Sequence, residues 1–208
     1  MAKKRRSLYG VHPGVAMVQK WVAELKTKTG RDLDQWLTYL KKNGPDDEKG
    51  RRTFLKEKHG LGTNTAWWLA ERSFGKGTFE ETPEGYLKAA ERYVEEMFAG
   101  KKAPLRPMYD ALLELSLSLG SDVKACPCQT IVPIYREHVI AQIKPTTNKR
   151  IDMGFALKDT KPTGRLIDTG GFAKKDRITH RIPIESLQDI DAEVERWLRA
   201  AYQMDAPK

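Results

Sequence analysis

The residues best suited to chemistry in this chain are two cysteines and four histidines. Cys126 and Cys128 flank a single proline, and a disulfide between them would close a strained loop, so we expect reduced thiols. They could form half of a metal site, but the histidines share no coordinating spacing with them. These histidines are His12, His59, His138 and His180. We therefore predict packed strand cysteines, no metal site and no cofactor.

Sequence patterns typical of enzyme active sites are missing. The chain contains no G-x-S-x-G, no H-E-x-x-H and no nucleotide-binding fingerprint. His180 alternates with Ile178 and Ile182, which favours a half-buried position in a sheet over a catalytic one. We predict no catalytic residues and a protein that is not an enzyme, while an enzyme of unrecognised type stays open as an alternative.

One glycine-rich segment has the residue types of a phosphate-binding turn. Residues 60–66, Gly-Leu-Gly-Thr-Asn-Thr-Ala, match the G-h-G-x-x-x-A core of a helix–hairpin–helix, in which the amides opening the second helix face a DNA phosphate. The match is incomplete, because Lys58 stands where an apolar residue is expected. The alternative is that Gly60 ends one helix and Thr63 caps the next. The two interpretations are compatible, because a turn that ends one helix can also bind a phosphate.

Basic residues accompany this segment. Residues 1–82 contain 17 Lys and Arg against 10 Asp and Glu, and therefore carry +7 of the total charge of +9. Such an excess favours polyanionic partners. The predicted nucleic-acid-binding residues are Lys3, Lys4, Arg5, Arg6, Lys56, Lys58, Gly60, Gly62, Thr63 and Arg72. Trp67 and Trp68 follow on the same helix and cannot both face one core, so one of them should be partly exposed.

The elements around these residues divide the chain into two differently built parts. Residues 1–10 are predicted to be a basic disordered tail, residues 11–74 a module of four short helices, and residues 75–82 a linker. Residues 83–208 should form an α+β domain. Helices are expected from Pro83 and Pro104, after which the apolar period changes to two. Short strands with tight connections predict an antiparallel β-meander packed against helices, closed by a helix that opens at Ser186.

The order of these elements resembles an uncharacterised bacterial two-domain family. Gly30-Arg31-Asp32-Leu33 and residues 58–62 are similar to a small helical domain of unknown function. Residues 122–124, 139–144, 151–155 and the final helix through Trp197 resemble the YdhG-type, iron-chaperone-like domains of unknown function. The resemblance implies a two-layer α+β fold and carries over no active-site residues.

The composition of the chain limits the classes of protein to which it can belong. At 39% hydrophobic and 31% charged residues the chain is globular, and it has neither a signal peptide nor an apolar run long enough to span a membrane, so we expect a cytoplasmic protein. The leading hypothesis is a non-catalytic protein whose basic module contacts nucleic-acid backbone. The alternative is a small-ligand or metal-ion carrier that uses a cleft in the C-terminal α+β domain.

Overall fold

The computed structural model describes residues 7–76 and 82–206. Its contacts divide the chain into two compact units, one spanning Val11–Ala89 and the other combining Ala90 onward with the described residues up to Gly10. Most of the predicted linker, and all of Lys3, Lys4, Arg5 and Arg6, lie outside the described residues.

The described part of the first unit that precedes residue 77 consists of four α-helices, as the sequence predicted. They are α1 (Pro13–Thr29), α2 (Leu33–Asn43), α3 (Glu48–Glu57) and α4 (Thr63–Ser73). Local sequence sets their ends. Asp32 and Gln35 form a capping box at the start of α2, and Asp47 caps α3 by accepting from the Gly50 amide. Gly30 ends α1 at φ +79°, a conformation that favours glycine.

The first unit has its own apolar core. Trp36, Leu40, Leu55 and Leu69 are fully buried, and Trp68 packs beside them. The indole nitrogen of Trp36 donates to Thr29 Oγ1 over 2.7 Å, which satisfies its buried polar group.

Within the described residues, three α-helices and two 3₁₀ helices belong wholly or partly to the second unit. α5 (Pro83–Met97) contains the boundary between the units, and α6 (Arg106–Leu117) follows a 3₁₀ helix over Gly100–Leu105. The expectation that an α-helix opens at Pro104 was wrong, because Pro104 lies inside the 3₁₀ helix. Pro107 instead stands in the first turn of α6, where no backbone N–H is needed.

Six strands form one antiparallel sheet in the described part of the second unit. The strands are β1 (Lys124–Ala125), β2 (Val132–Tyr135), β3 (Val139–Pro145), β4 (Ile151–Phe155), β5 (Ile167–Asp168) and β6 (His180–Ile184). Their order in the sheet is β1-β2-β3-β4-β6-β5. The predicted α+β meander is confirmed, except that β6 lies between β4 and β5. β6 runs to Ile184 through Pro183. Proline has no N–H to donate, and Pro183 lies beyond the end of β5, so no residue of β5 pairs with it.

The closing helix begins later than the sequence predicted. Ser186 and Asp189 do form a capping box, but around a short 3₁₀ helix over Leu187–Asp189. Asp191 then caps α7 (Ala192–Met204) by accepting from the amides of Glu193 and Val194.

The second core joins the sheet to α6 and α7. Ile151, Met153, Phe155 and Leu157 are fully buried and share a cluster with Val194 and Leu198, while Trp197 packs at its edge. Tyr9 and Gly10, at the end of the predicted tail, are also held by this unit. Tyr9 Oη lies 3.0 Å from Tyr109 Oη, and the Gly10 amide donates to Ala125 O. Among the described residues, no helix has both the length and the apolar composition to cross a bilayer.

Candidate nucleic-acid interface

The predicted turn reverses the chain between two helices that pack along each other, α3 and α4. Gly60 adopts φ +65°, and its amide donates to Lys56 O over 3.1 Å. The Leu61 amide donates to Leu55 O over 3.1 Å. Gly60 therefore ends α3 in the left-handed conformation, as the capping interpretation predicted.

The beginning of α4 is open. Gly62, not Thr63, is the N-cap residue, and it supplies no side-chain hydrogen bond, which corrects the expectation that Thr63 caps the helix. Gly62, Thr63 and Asn64 are exposed. A Cβ built on Gly62 meets no atom within 4 Å, so solvent or a ligand can approach the backbone. The first amides of a helix have no acceptor inside it, and the helix dipole adds partial positive charge there.

Two predicted lysines lie at the end of α3, beside this turn. Lys56 and Lys58 are both exposed, and neither forms an ion pair within the described part of the chain. The Lys58 ammonium lies 5.3 Å from the centre of the Phe54 ring. Glu57 stands between the two lysines in sequence and offsets part of their charge.

Arg72 does not belong to this surface. Its side chain is 5% exposed, its guanidinium lies 5.5 Å from the centre of the Trp68 ring, and Nη1 donates to Lys76 O. A group held in this way cannot reach a phosphate at the Gly60–Gly62 turn, so we remove Arg72 from the candidate interface. The sequence-based prediction of Arg72 was wrong because a long basic side chain can pack both its methylene groups and its guanidinium against an aromatic ring.

The two adjacent tryptophans divide as the sequence predicted. Trp68 is 7% exposed in the core, whereas Trp67 is 44% exposed and has the Arg52 guanidinium 5.6 Å from its ring centre. The helical period carries this signal, because Ala66, Leu69 and Ala70 occupy the buried face that Trp67 turns away from.

His59, the residue before the turn, lies in an aromatic cluster. Its ring makes edge contacts with Trp36, Tyr39 and Phe54, at centroid distances of 5.1, 5.2 and 5.0 Å. Its Nε2 is buried without a hydrogen-bond partner in the described structure. Burial, together with the nearby charge of Arg31 and Lys58, lowers the pKa of His59. His59 therefore supports the turn as a neutral aromatic ring.

Comparison with known proteins concerns the second unit. A sequence profile for a domain of unknown function, DUF5655, matches residues 94–205, which is more than half of the 208-residue chain. The chain belongs to the DUF5655 family. The DUF5655 match begins within α5 and contains the whole sheet and α7. No curated protein and no solved structure matches the chain.

The two cysteines lie in the DUF5655 region, Cys126 buried and Cys128 half-buried. Both are free thiols, and they lie in the connection between β1 and β2, so the expectation that they stand within a strand was wrong. Their amides donate across this connection, Cys126 to Pro133 O and Cys128 to Ile131 O. Burial raises the pKa of Cys126 to about 12, which keeps that thiol protonated at neutral pH.

His180 of the DUF5655 sheet is more deeply buried than the sequence indicated. It is 1% exposed instead of half-buried, and its Nδ1 lies 2.8 Å from Thr179 Oγ1. His138 instead faces Asp205, with Nδ1 3.0 Å from Oδ1. Within residues 7–76 and 82–206, no three His, Cys, Asp or Glu side chains are grouped closely enough to hold a metal ion.

Proposed function

We propose that the helical unit binds nucleic-acid backbone without sequence preference, in a non-catalytic role, through the amides that open α4. The observation that carries this proposal is the uncapped and exposed start of α4 at Gly62, where no side chain obstructs the backbone. A phosphate oxygen can accept hydrogen bonds from amides in this position, and it is favoured by the helix dipole.

The distribution of charge supports the same proposal. Lys41, Lys42, Lys49, Lys56 and Lys58 are exposed and form no ion pair among the described residues of this unit. By contrast, Arg52 and Lys76 both pair with Glu48. Lysines without a protein partner can exchange counterions for phosphates, so we expect affinity to fall steeply with salt concentration.

The setting of the protein is part of the proposal. We place it in a bacterial cytoplasm. We also retain the likeness of the DUF5655 region to YdhG-type domains as a hypothesis about ancestry. The alternative function is a small-ligand or metal-ion carrier, and a cleft lined by Phe172 and Met204 is the specific observation that favours a small ligand.

A binding titration with matched variants tests the proposal. The full chain is titrated into labelled DNA, about 25 base pairs of duplex or about 25 nucleotides of single strand, and binding is followed by fluorescence anisotropy. Binding should be seen at about 50 mM salt and be largely lost by about 300 mM. The double substitution Lys56→Gln and Lys58→Gln should weaken binding about tenfold. Lys149→Gln with Lys161→Gln changes the charge equally in the other unit and is the control.

A second variant separates the backbone from the charge. Gly62→Val adds a side chain in open space at φ −60°, so the fold is retained while phosphate approach is obstructed. We expect weaker binding at unchanged thermal stability. Absence of binding at low salt, or equal losses in the lysine variant and its control, would exclude the proposed interface.

A further inference from the structure

The second unit contains a cleft between the β4–β6 connection and the C-terminal end of α7. This connection is the segment of residues 156–179, and it includes the short strand β5. The cleft has a volume of about 560 Å³, within the range of small-molecule sites, and it is open to solvent on one side. Ala156 and Thr179 lie at its base, and both are buried. None of the residues discussed for nucleic-acid binding lines it, so it is independent of the proposed interface.

Two large apolar side chains face this cleft from different elements. Phe172, in the β4–β6 connection, is 55% exposed, and Met204, in the last turn of α7, is 45% exposed. Leaving two such groups in water at one concave site is unfavourable, and apolar groups of this kind are typical of ligand pockets. Ala201 of α7 adds a buried apolar residue to the lining.

The charged groups at the cleft favour an anion. Lys158 and Lys175 line it, are exposed, and form no ion pair in the described structure. Arg177 also lines it but is neutralised by Asp205, at 2.6 Å. Asp176 is the carboxylate that lines the cleft within the described residues. With the Arg177–Asp205 pair counted as neutral, Lys158, Lys175 and Asp176 leave a net charge of +1 beside the apolar surface of the cleft.

The backbone at both lysines is unusual. Lys158 has φ +55° and Lys175 has φ +61°, and within the described chain they are the non-glycine residues with positive φ. A side chain in this region is disfavoured, and glycine would be the ordinary choice. Two non-glycine residues in this conformation at one cleft lead to the hypothesis that their side chains contribute to binding there.

The β4–β6 connection is held in place, so the cleft is preformed. The amide and hydroxyl of Thr169 both donate to Thr179 O, over 3.0 and 2.9 Å. The Asp176 amide donates to Gly171 O over 2.8 Å, and Gly171 lies so close to the chain that an added Cβ would meet Ile178 O at 2.4 Å. Arg165 ties the connection to α7 through Glu193. Preformed sites lose less entropy on binding.

We propose that this cleft binds a small amphipathic carboxylate. Its apolar body lies on Phe172 and Met204, and its carboxylate pairs with Lys158 and Lys175. The apolar surface excludes inorganic anions as the preferred ligand, since these have no group to bury. The unpaired lysines exclude a neutral hydrocarbon for the converse reason.

The test is a titration of the full chain with 2-naphthoate, followed by amide NMR shifts and by calorimetry. Its uncharged counterpart, 2-naphthalenemethanol, is the ligand control. We expect shifts at Ala156, Phe172, Thr179 and Ala201, and binding about tenfold tighter for the carboxylate, the effect of one charge-assisted hydrogen bond.

Three variants complete the design. Lys158→Gly and Lys175→Gly remove a charge and relieve the positive φ, so each should raise the thermal midpoint and yet weaken naphthoate binding about tenfold. Because these variants gain stability, lost binding cannot be ascribed to misfolding. Lys174→Gln, at a neighbouring exposed residue outside the cleft, should bind like the parent protein. No shifts at the cleft, equal affinity for the alcohol, or equal loss in Lys174→Gln would overturn the proposal.

Discussion

Arg177 Nη2 lies 2.6 Å from Asp205 Oδ1 and connects the segment before β6 to the residue that follows α7. Asp205 is 8% exposed, and its Oδ2 accepts the His138 amide over 2.8 Å. Burial raises the pKa of Asp205, but hydrogen bonds from His138 and Arg177 outweigh it, so the pKa is lower than usual. One carboxylate therefore connects the segment before β6, the end of α7 and the turn before β3.

Removing this carboxylate should destabilise the second unit. Asp205→Ala leaves the His138 amide and the Arg177 guanidinium without their acceptor, and we expect a loss of about 2–3 kcal/mol in the free energy of unfolding. Arg177→Gln should cost less, about 1 kcal/mol, because Arg177 is largely exposed. Urea denaturation measures both, and a reversed order would contradict the assignment of Asp205 as the central group.

The same carboxylate gives an acid-dependent contribution. Its folded pKa is lower than its unfolded pKa, so its stabilisation is complete above the unfolded value of 3.8 and is lost as the pH falls through the folded value. Relative to Asp205→Asn, the parent protein should lose more stability between about pH 5 and pH 2. If the unfolding free energies of the two proteins changed equally with pH across this range, folding would not lower the pKa of Asp205.

Phe155→Ala should strongly destabilise the sheet. Phe155 is fully buried against the core shared with α7, and deleting its ring leaves a cavity, which costs about 3–5 kcal/mol. Ile167→Ala, at a 40% exposed residue of β5, should change stability by less than about 1 kcal/mol. Chemical denaturation compares the two, and similar losses would mean that the inward face has been misassigned.

His59 should make the stability of the first unit depend on pH near neutrality. Its folded pKa is below the unfolded value of 6.5, so the unfolded chain takes up the proton first as the pH falls. This contribution is complete above pH 6.5 and declines from there toward the folded pKa. His59→Phe keeps an aromatic ring but cannot be protonated, and its unfolding free energy should decline less between pH 7 and pH 5. Identical slopes for parent and variant would remove His59 as the cause.

The two glycines of the turn should respond differently to substitution. Gly60→Ala places a side chain at φ +65° and should cost about 1 kcal/mol. Gly62→Ala has φ −60° and open space, so its effect on stability should stay within about 0.5 kcal/mol. Thermal unfolding followed by circular dichroism measures this difference, and a large loss for Gly62→Ala would show that the start of α4 is packed.

The sequence by itself determined the class of fold and most element positions. Capping residues such as Asp32 and Gly30 act within a few residues, and the alternation of Ile151, Met153, Phe155 and Leu157 reflects the geometry of a strand with one face in the core. The same local reasoning placed Gly60 at the end of α3. These signals can be read because their physical causes are short-range.

Only the tertiary structure decided where β6 pairs and which cations are available. β6 joins the sheet between β4 and β5 through contacts between residues far apart in sequence, which no local pattern encodes. Arg72 and Lys56 look alike in sequence, yet Arg72 is buried against Trp68 while Lys56 faces solvent. The cleft at Phe172 and Met204 likewise exists only because the β4–β6 connection folds over the end of α7. Long-range packing sets the exposure of each side chain, and exposure decides whether a charge or an apolar group can meet a ligand.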